Sequence, residues 1–265
     1  MLTDSLISAM RPIWFRGKGR LLGALAPRRG ERTATVFGAR IDLDLSDLVQ
    51  REVYLGVFEP RETRWARSRL RPGMTFVDVG ANIGYYTLLG AQSVGSGGRI
   101  LAIEPGPYAY RRLQETVERN RLEQVTTLPI AVGAEAGRLP LYIPPENSGN
   151  YSPTMLPSEG GTPVETEVRT LDDLLEEHGV ERVDLLKLDV EGFEPAVLRG
   201  ARRALAEGRI GAALCEFNDF WLREAGTDPE ALYETLTAAG FSDTGGEARF
   251  SPGCIETRFF VRRDA

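Results

Sequence analysis

An apolar run, Thr75-Phe76-Val77-Asp78-Val79, passes directly into Gly80-Ala81-Asn82-Ile83-Gly84 and from there into a segment of helical character. Few folds accommodate strand, glycine turn and helix in so short a span. Gly80 permits the tight turn, and Gly84 lets the helix pack close to the strand. The chain beyond repeats the alternation. Strands are predicted over 75–79, 99–103, 125–132, 183–189 and 212–217. Helices are predicted from about Gly84, over 107–120, after Pro195 and over 229–239, and 241–263 reads as a closing antiparallel hairpin. Strands that alternate with helices in this way imply an α/β fold, a mostly parallel sheet covered by helices on both faces.

Ahead of this unit, 33–45 alternates apolar and polar residues around Gly38 and is predicted to be a hairpin. Residues 46–70 are predicted as one helical stretch with Val53, Tyr54, Val57 and Phe58 on one face. Residues 1–26 are predicted as short basic amphipathic helices broken near Pro12 and Gly17. The organisation expected is a small N-terminal cap over 1–45 and an α/β domain over 46–265. An insertion over 137–170, rich in Pro, Gly and Ser, interrupts that domain, and such a stretch inside a compact fold is expected to be a lid or binding loop.

Composition narrows the partners. The net charge of −6 is uneven: residues 1–32 carry +5 and the rest about −11. Duplex binding needs clustered cations, so nucleic acid is not the expected partner. No run of about 18 apolar residues is present, so no transmembrane helix is predicted. No signal peptide is evident. Cys215 and Cys254 lack metal-type spacing and are expected to be reduced thiols of a cytoplasmic protein. Lys18 and Lys187 are the only lysines against many arginines, the codon bias of a GC-rich bacterial genome.

Glu104 stands twenty residues beyond Gly84, at the end of the second predicted strand. An acid there accepts hydrogen bonds from ribose hydroxyls, so a nucleoside is expected across the carboxyl ends of the first two strands. A dinucleotide fingerprint would place a glycine where Asn82 stands, and no phosphate-binding lysine follows the turn. Asp78, just before Gly80, would repel a phosphate and suits an ammonium group. S-adenosylmethionine carries an ammonium and a sulfonium and no phosphate, so the residues favour it over NAD.

The fourth predicted strand ends as Lys187-Leu188-Asp189-Val190-Glu191-Gly192. Lys187, Asp189 and Glu191 share one parity and cluster where open α/β sheets bind ligands. The fifth strand ends in Glu216, with Asp219 beyond it, both expected at the same crevice. Asp189 is the first candidate for a catalytic base, Glu191 the next, with Lys187 tuning their charge and Glu216 nearby. Two such acids could instead hold a divalent metal such as Mg²⁺ that binds a diol. A structural ion pair between Lys187 and one of the acids is the other reading. His178, the sole histidine, falls before the fourth strand, at the opposite end of the sheet, and is a poor candidate base.

Taken together, Phe58-Glu59-Pro60, the 72–87 stretch PGMTFVDVGANIGYYT, ILAIEPGP over 100–107, Ala131-Val132-Gly133, TLDDLLEE over 170–177 and above all LLKLDVEGFEPAVLRGA over 185–201 resemble the FkbM family of methyltransferases. The resemblance runs over about 50–262. It implies a class I methyltransferase (Rossmann-like) sheet of seven strands, with S-adenosylmethionine as cofactor. Gly80, Asn82, Gly84 and Glu104 would hold that cofactor, and Ala131 would lie against the adenine. It also implies O-methylation of a hydroxyl on a small-molecule natural product or sugar, with that hydroxylated acceptor as the partner. N-methylation of an amino sugar, cofactor binding without catalysis, an NAD-type oxidoreductase and a homodimer are left open.

Overall fold

A computed structural model describes residues 26–144, 161–246 and 248–263, with the single positions 7, 9, 10, 18, 22, 23, 154, 156 and 157. The hairpin is β1 (Glu31–Val36) and β2 (Ala39–Asp44), followed by α1 (Leu48–Leu55) and α2 (Pro60–Arg69). The alternating unit then runs β3 (Thr75–Val79), α3 (Tyr85–Val94), β4 (Arg99–Ile103), α4 (Pro107–Arg119) and β5 (Val125–Leu128). Three strands follow, β6 (Ala131–Val132), β7 (Gly137–Ile143) and β8 (Thr162–Arg169), and then α5 (Leu171–Glu177). The chain closes with β9 (Leu185–Leu188), α6 (Glu194–Arg199), α7 (Arg202–Ala206), β10 (Ala212–Asn218), α8 (Asp219–Glu224), α9 (Pro229–Ala238), β11 (Phe241–Asp243) and β12 (Ile255–Arg262).

Seven strands form the main sheet in the order β11-β12-β10-β9-β3-β4-β5. Those from β5 to β10 are parallel, and β12 runs antiparallel to both β10 and β11. The central strands read as apolar runs because both their faces are buried. Val77 and Val79 pack into one core with Leu174, Val197, Leu205 and Leu232 from α5, α6, α7 and α9. Phe76 packs into another with Ala66, Leu89 and Leu113 from α2, α3 and α4. The chain order reverses at β3, which lies between β4 and β9. At such a switch point the loops leave a strand pair in opposite directions and open a crevice at its carboxyl end.

The hairpin shares a third core with α1 and with Ile83 and Leu88 of the glycine turn and α3. The helices expected over 1–26 lie outside the described residues except for single positions, of which Ile7 and Leu22 are fully buried in this same core. Among the described residues no helix is long and apolar enough to cross a membrane. Cys215 and Cys254 are both free thiols.

Three expectations change. The helical stretch over 46–70 is two helices. Gly56 ends α1 in the left-handed region (φ 65°), its N–H bonding the carbonyls of Glu52 and Val53, and Pro60 opens α2. The strand expected over 125–132 divides, with β5 completing the main sheet and β6 joining β8 and β7 in a separate three-stranded sheet. The described ends of the 137–170 insertion form an antiparallel ribbon, paired from Gly137 and Val168 to Ile143 and Thr162. The tip between these strands, where a lid was expected, lies for the most part outside the described residues.

Candidate active site

The turn after β3 is built from hydrogen bonds to its neighbour strand. The N–H groups of Gly80 and Ala81 both donate to the Ile103 carbonyl, at 2.9 and 3.0 Å. Gly80 takes φ 80°, and a Cβ there would lie 1.8 Å from the Asp189 carbonyl oxygen, so no other residue fits. Asn82 also has positive φ, 49°, and its side-chain carbonyl accepts the Ile83 N–H at 2.8 Å. Gly84 (φ 97°) does its close packing against Leu113 of α4, whose Cδ1 would stand 2.8 Å from a Cβ there.

Glu104 faces this turn from the end of β4. Its Oε2 accepts the Asn82 N–H at 2.9 Å and its Oε1 the Gly106 N–H at 2.7 Å. Burial pushes its carboxyl up to about 7, against those two N–H bonds. The carboxylate thus shapes the turn and keeps one further lone pair on each oxygen for a ligand's hydroxyls.

Asp78 requires a correction. It was expected to meet the ligand's ammonium, but it is fully buried and does not line the cavity. Its Oδ2 accepts the Thr87 hydroxyl at 2.7 Å, and its Oδ1 stands 3.9 Å from the Lys187 Nζ. The alternation of β3 turns Asp78 beneath α3, away from the crevice.

Lys187 is the hub of the acidic end. Its Nζ donates to Asp189 Oδ2 at 2.9 Å and to the Gly80 carbonyl at 3.3 Å, and lies over the Tyr86 ring. Burial alone would lower its pKa, but Asp189 and Asp78 outweigh that and hold the ammonium charged. Asp189 is in turn pinned by the ion pair, with about a third of its side chain open to the crevice. Glu191 follows in a left-handed turn (φ 52°), with Asn218 Nδ2 3.4 Å from its Oε2. Burial drives Glu216 well above the ordinary carboxylate range, and its Oε2 is buried with no hydrogen-bond partner. Asp219, expected at the same crevice, instead accepts from the Gly253 N–H and from Arg223 and does not line the cavity.

One cavity, about 1100 Å³ with its open mouth, joins these parts. Gly80, Asn82, Glu104, Ala131, Lys187, Asp189, Glu191 and Glu216 all line it, while Asp78 and Gly84 stand behind the wall. One stretch of the lining is apolar, with Val79, Ile103, Ile130, Ala131, Leu141 and Phe193. Leu141 comes from β7, so the insertion contributes to the wall. Among the lining residues that the sequence reading did not place at the site are Glu59 and Tyr86, although both stand in stretches it quoted, Phe58-Glu59-Pro60 and 72–87. Five non-glycine residues among those described have positive φ, and three of them, Glu59, Asn82 and Glu191, line this cavity. Strain of that kind, of order 1–3 kcal/mol each, collects where a fold is built around a ligand.

The donor set suits one kind of nucleoside. The cavity offers a buried carboxylate at the end of β4, an apolar wall and a group of acids. Among the described residues the one lining cation, Lys187, is already paired with protein oxygens, so a pyrophosphate would find no free counter-charge among them. A sulfonium nucleoside fits. Among the described residues no group of three or more His, Cys, Asp or Glu side chains is arranged to hold a metal, so the alternative of a diol-binding Mg²⁺ has no geometric support. His178 caps the C-terminus of α5, and its carbonyl accepts from Arg99 at the amino end of β4, remote from the cavity.

The strand order and the site at its switch point define a class I methyltransferase fold. The chain belongs to the methyltransferase FkbM domain family, whose model matches residues 78–242. That family makes S-adenosylmethionine the implied methyl donor. Among curated relatives, methyltransferase sdnD of Sordaria araneosa is 34% identical over 155 residues, 47% of this chain and 59% of its own length. The 31-O-demethyl-FK506 methyltransferase FkbM of Streptomyces tacrolimicus is 30% identical over 164 residues, 51% of this chain and 62% of its own. Hexuronic acid methyltransferase AglP of Haloferax volcanii is 28% identical over 173 residues, 62% of each chain. The chain thus spans about six-tenths of the length of the relatives it matches.

Proposed function

We propose that this protein transfers a methyl group from S-adenosylmethionine to a hydroxyl of a small molecule, a natural product or a sugar. The observation that carries this is the cavity in which Glu104 and an apolar wall adjoin a cluster of acids whose one cation among the described residues, Lys187, is already neutralised. Relatives named as a 31-O-demethyl-FK506 methyltransferase and a hexuronic acid methyltransferase support a small-molecule or sugar acceptor.

When bound, the cofactor supplies a methyl carbon already activated for in-line displacement. The chain's own task is therefore alignment, which can be worth on the order of 7–11 kcal/mol. In this reading Gly80, Asn82 and Gly84 shape the turn, Glu104 accepts the ribose hydroxyls, and Ala131 packs against the adenine. Asp189, immobilised by Lys187, accepts a hydrogen bond from a neighbouring hydroxyl of the acceptor and so orients the molecule. Glu191 gives the same end of the cavity a negative field that favours a sulfonium. The apolar wall, with Leu141 and Phe193, keeps competing water out.

Calorimetry with S-adenosylmethionine, S-adenosylhomocysteine and NAD, each with and without Mg²⁺, tests the cofactor. Transfer of labelled methyl to macrolide alcohols and methyl glycosides tests the acceptor. The expected result is binding of the two sulfur nucleosides independent of Mg²⁺. Binding of NAD alone would overturn the proposal.

A further inference from the structure

The turn between α1 and α2 carries a carboxylate in an unusual setting. Glu59 immediately precedes Pro60, the first residue of α2, with φ 37° and ψ 59°. A polar side chain at that position ordinarily accepts an N–H of the first helical turn. The Glu59 side chain makes no such bond. Its Oε2 accepts the Tyr86 hydroxyl at 2.5 Å instead, and the residue lines the cavity beside Lys187, Asp189 and Glu216. The helix start is left uncapped and the backbone is held in a disfavoured region, and both serve to turn this carboxylate inward.

We propose that Glu59 takes the proton of the acceptor hydroxyl, an inference that rests on the methyl transfer to oxygen described above. In this step the hydroxyl oxygen bonds to the methyl carbon. The carbon–sulfur bond breaks and its electron pair stays on sulfur, which becomes a neutral thioether. The hydroxyl proton passes to the Glu59 carboxylate and from there to water. No metal or further reactant is needed for this balance.

The neighbouring carboxylates are less suited. Asp189 Oδ2 is 2.9 Å from the Lys187 ammonium and is already engaged by that hydrogen bond. Glu216 is driven well above the ordinary carboxylate range by burial and by Asp189, Glu191 and Glu194, which disfavours the charged form that a base needs. Glu191 faces Asn218 from a separate turn. The groups that face Glu59 are Tyr85 and Tyr86 from α3, Lys187 and Asp189 from the end of β9, Glu62 from α2 and Glu216 from β10. Burial, with Asp189 and Glu62, pushes Glu59 up to about 7, against the Tyr86 hydroxyl and Lys187. A proton acceptor works best when its midpoint lies near the working pH.

The test uses the full chain and its Glu59→Gln and Tyr86→Phe variants, with methyl glycosides as the acceptor probe. Glu59→Gln should bind S-adenosylhomocysteine within about twofold of the unaltered protein, yet lose roughly 100-fold in turnover together with the acid limb of its pH profile. Tyr86→Phe removes a donor that favours the carboxylate, so its acid limb should move to higher pH, a shift that a merely structural Glu59 would not produce. Carbon-13 spectra of labelled glutamate carboxyls in the S-adenosylhomocysteine complex give the same answer without turnover. Of the resonances that titrate at about 7, to which Glu104 also contributes, one should vanish in Glu59→Gln and move up in Tyr86→Phe. If the glycosides take no label, these spectra decide, and absence of that resonance overturns the inference. Intact S-adenosylhomocysteine binding with an unchanged acid limb in Glu59→Gln overturns it alone. Absence of S-adenosylhomocysteine binding by the unaltered protein overturns the proposed function with it.

Discussion

The carbonyl oxygen of Asp189 occupies the space a side chain on Gly80 would need, 1.8 Å from the position of its Cβ. Gly80 returns the contact, its own carbonyl accepting from Lys187 Nζ across 107 residues of sequence. The cofactor turn after β3 and the acidic end of β9 are thereby held at a fixed separation, backbone against backbone. Gly80→Ala meets both a positive φ and a backbone clash that no side-chain movement relieves. The variant is expected to misfold, or to melt at least 10 °C lower and lose S-adenosylhomocysteine binding, by scanning and titration calorimetry. A soluble Gly80→Ala protein with an unchanged Tm would show that the two ends are free to separate.

Glu104 holds two backbone N–H groups besides any ribose. Glu104→Ala should weaken binding of S-adenosylmethionine by about 1.5–3 kcal/mol, the scale of hydrogen bonds to a charged group. Glu104→Gln should do no better, because its amide NH₂ must face either the Asn82 or the Gly106 N–H, donor against donor. Titration calorimetry on both variants checks this. Affinity in Glu104→Gln equal to that of the unaltered protein would remove the ribose assignment.

Asp189→Asn keeps the shape and removes the charge. Cofactor affinity should survive within about 1 kcal/mol while turnover falls roughly ten- to a hundredfold, the scale of a misplaced reactant. Lys187 keeps Asp78 as a second partner, and Asp189 is partly open to water, so only a small drop in Tm is expected. Normal turnover with a markedly lower Tm would make Asp189 a structural ion-pair partner.

Glu194, fully buried at the start of α6, accepts the Val190 N–H at 2.9 Å, and its other carboxylate oxygen has no partner. Burial pushes its carboxyl up to about 8. The folded state therefore holds this proton more tightly than the unfolded chain does. The associated stability is complete below the unfolded value near 4.5 and is lost as pH rises through about 8. Glu104 and Glu59, both raised to about 7, act in the same direction. Tm should fall as pH is taken from 5 to about 8.5, and fall less in Glu194→Gln, whose neutral side chain keeps the Val190 bond. Parallel Tm profiles for the two proteins would show that Glu194 does not titrate in this window.

By itself the sequence determined the alternating core, the glycine turn after β3, and the placement of Glu104, Lys187, Asp189 and Glu191 at the carboxyl ends of strands. These are local demands: strands buried on both faces must be apolar, a turn at positive φ favours glycine, and ionisable residues that end apolar strands emerge at the sheet's edge. Only the tertiary structure decided which way those side chains turn and what meets them. Asp78 was read as facing the ligand, and the pleat of β3 sends it under α3 to Thr87. The stretch over 46–70 has one helical periodicity, yet the break at Gly56 carries Glu59 into a cavity whose opposite wall comes from β9. The 137–170 insertion looked like loop because its composition is turn-rich, whereas the pairing of β7 with β8 supplies backbone hydrogen bonds that composition does not reveal. Periodicity and residue chemistry act over a few neighbours. The pairings of Glu59 with Tyr86, of Lys187 with Asp78 and of Gly80 with Asp189 depend on segments far apart in the chain, which only the packed sheet and its helices bring together.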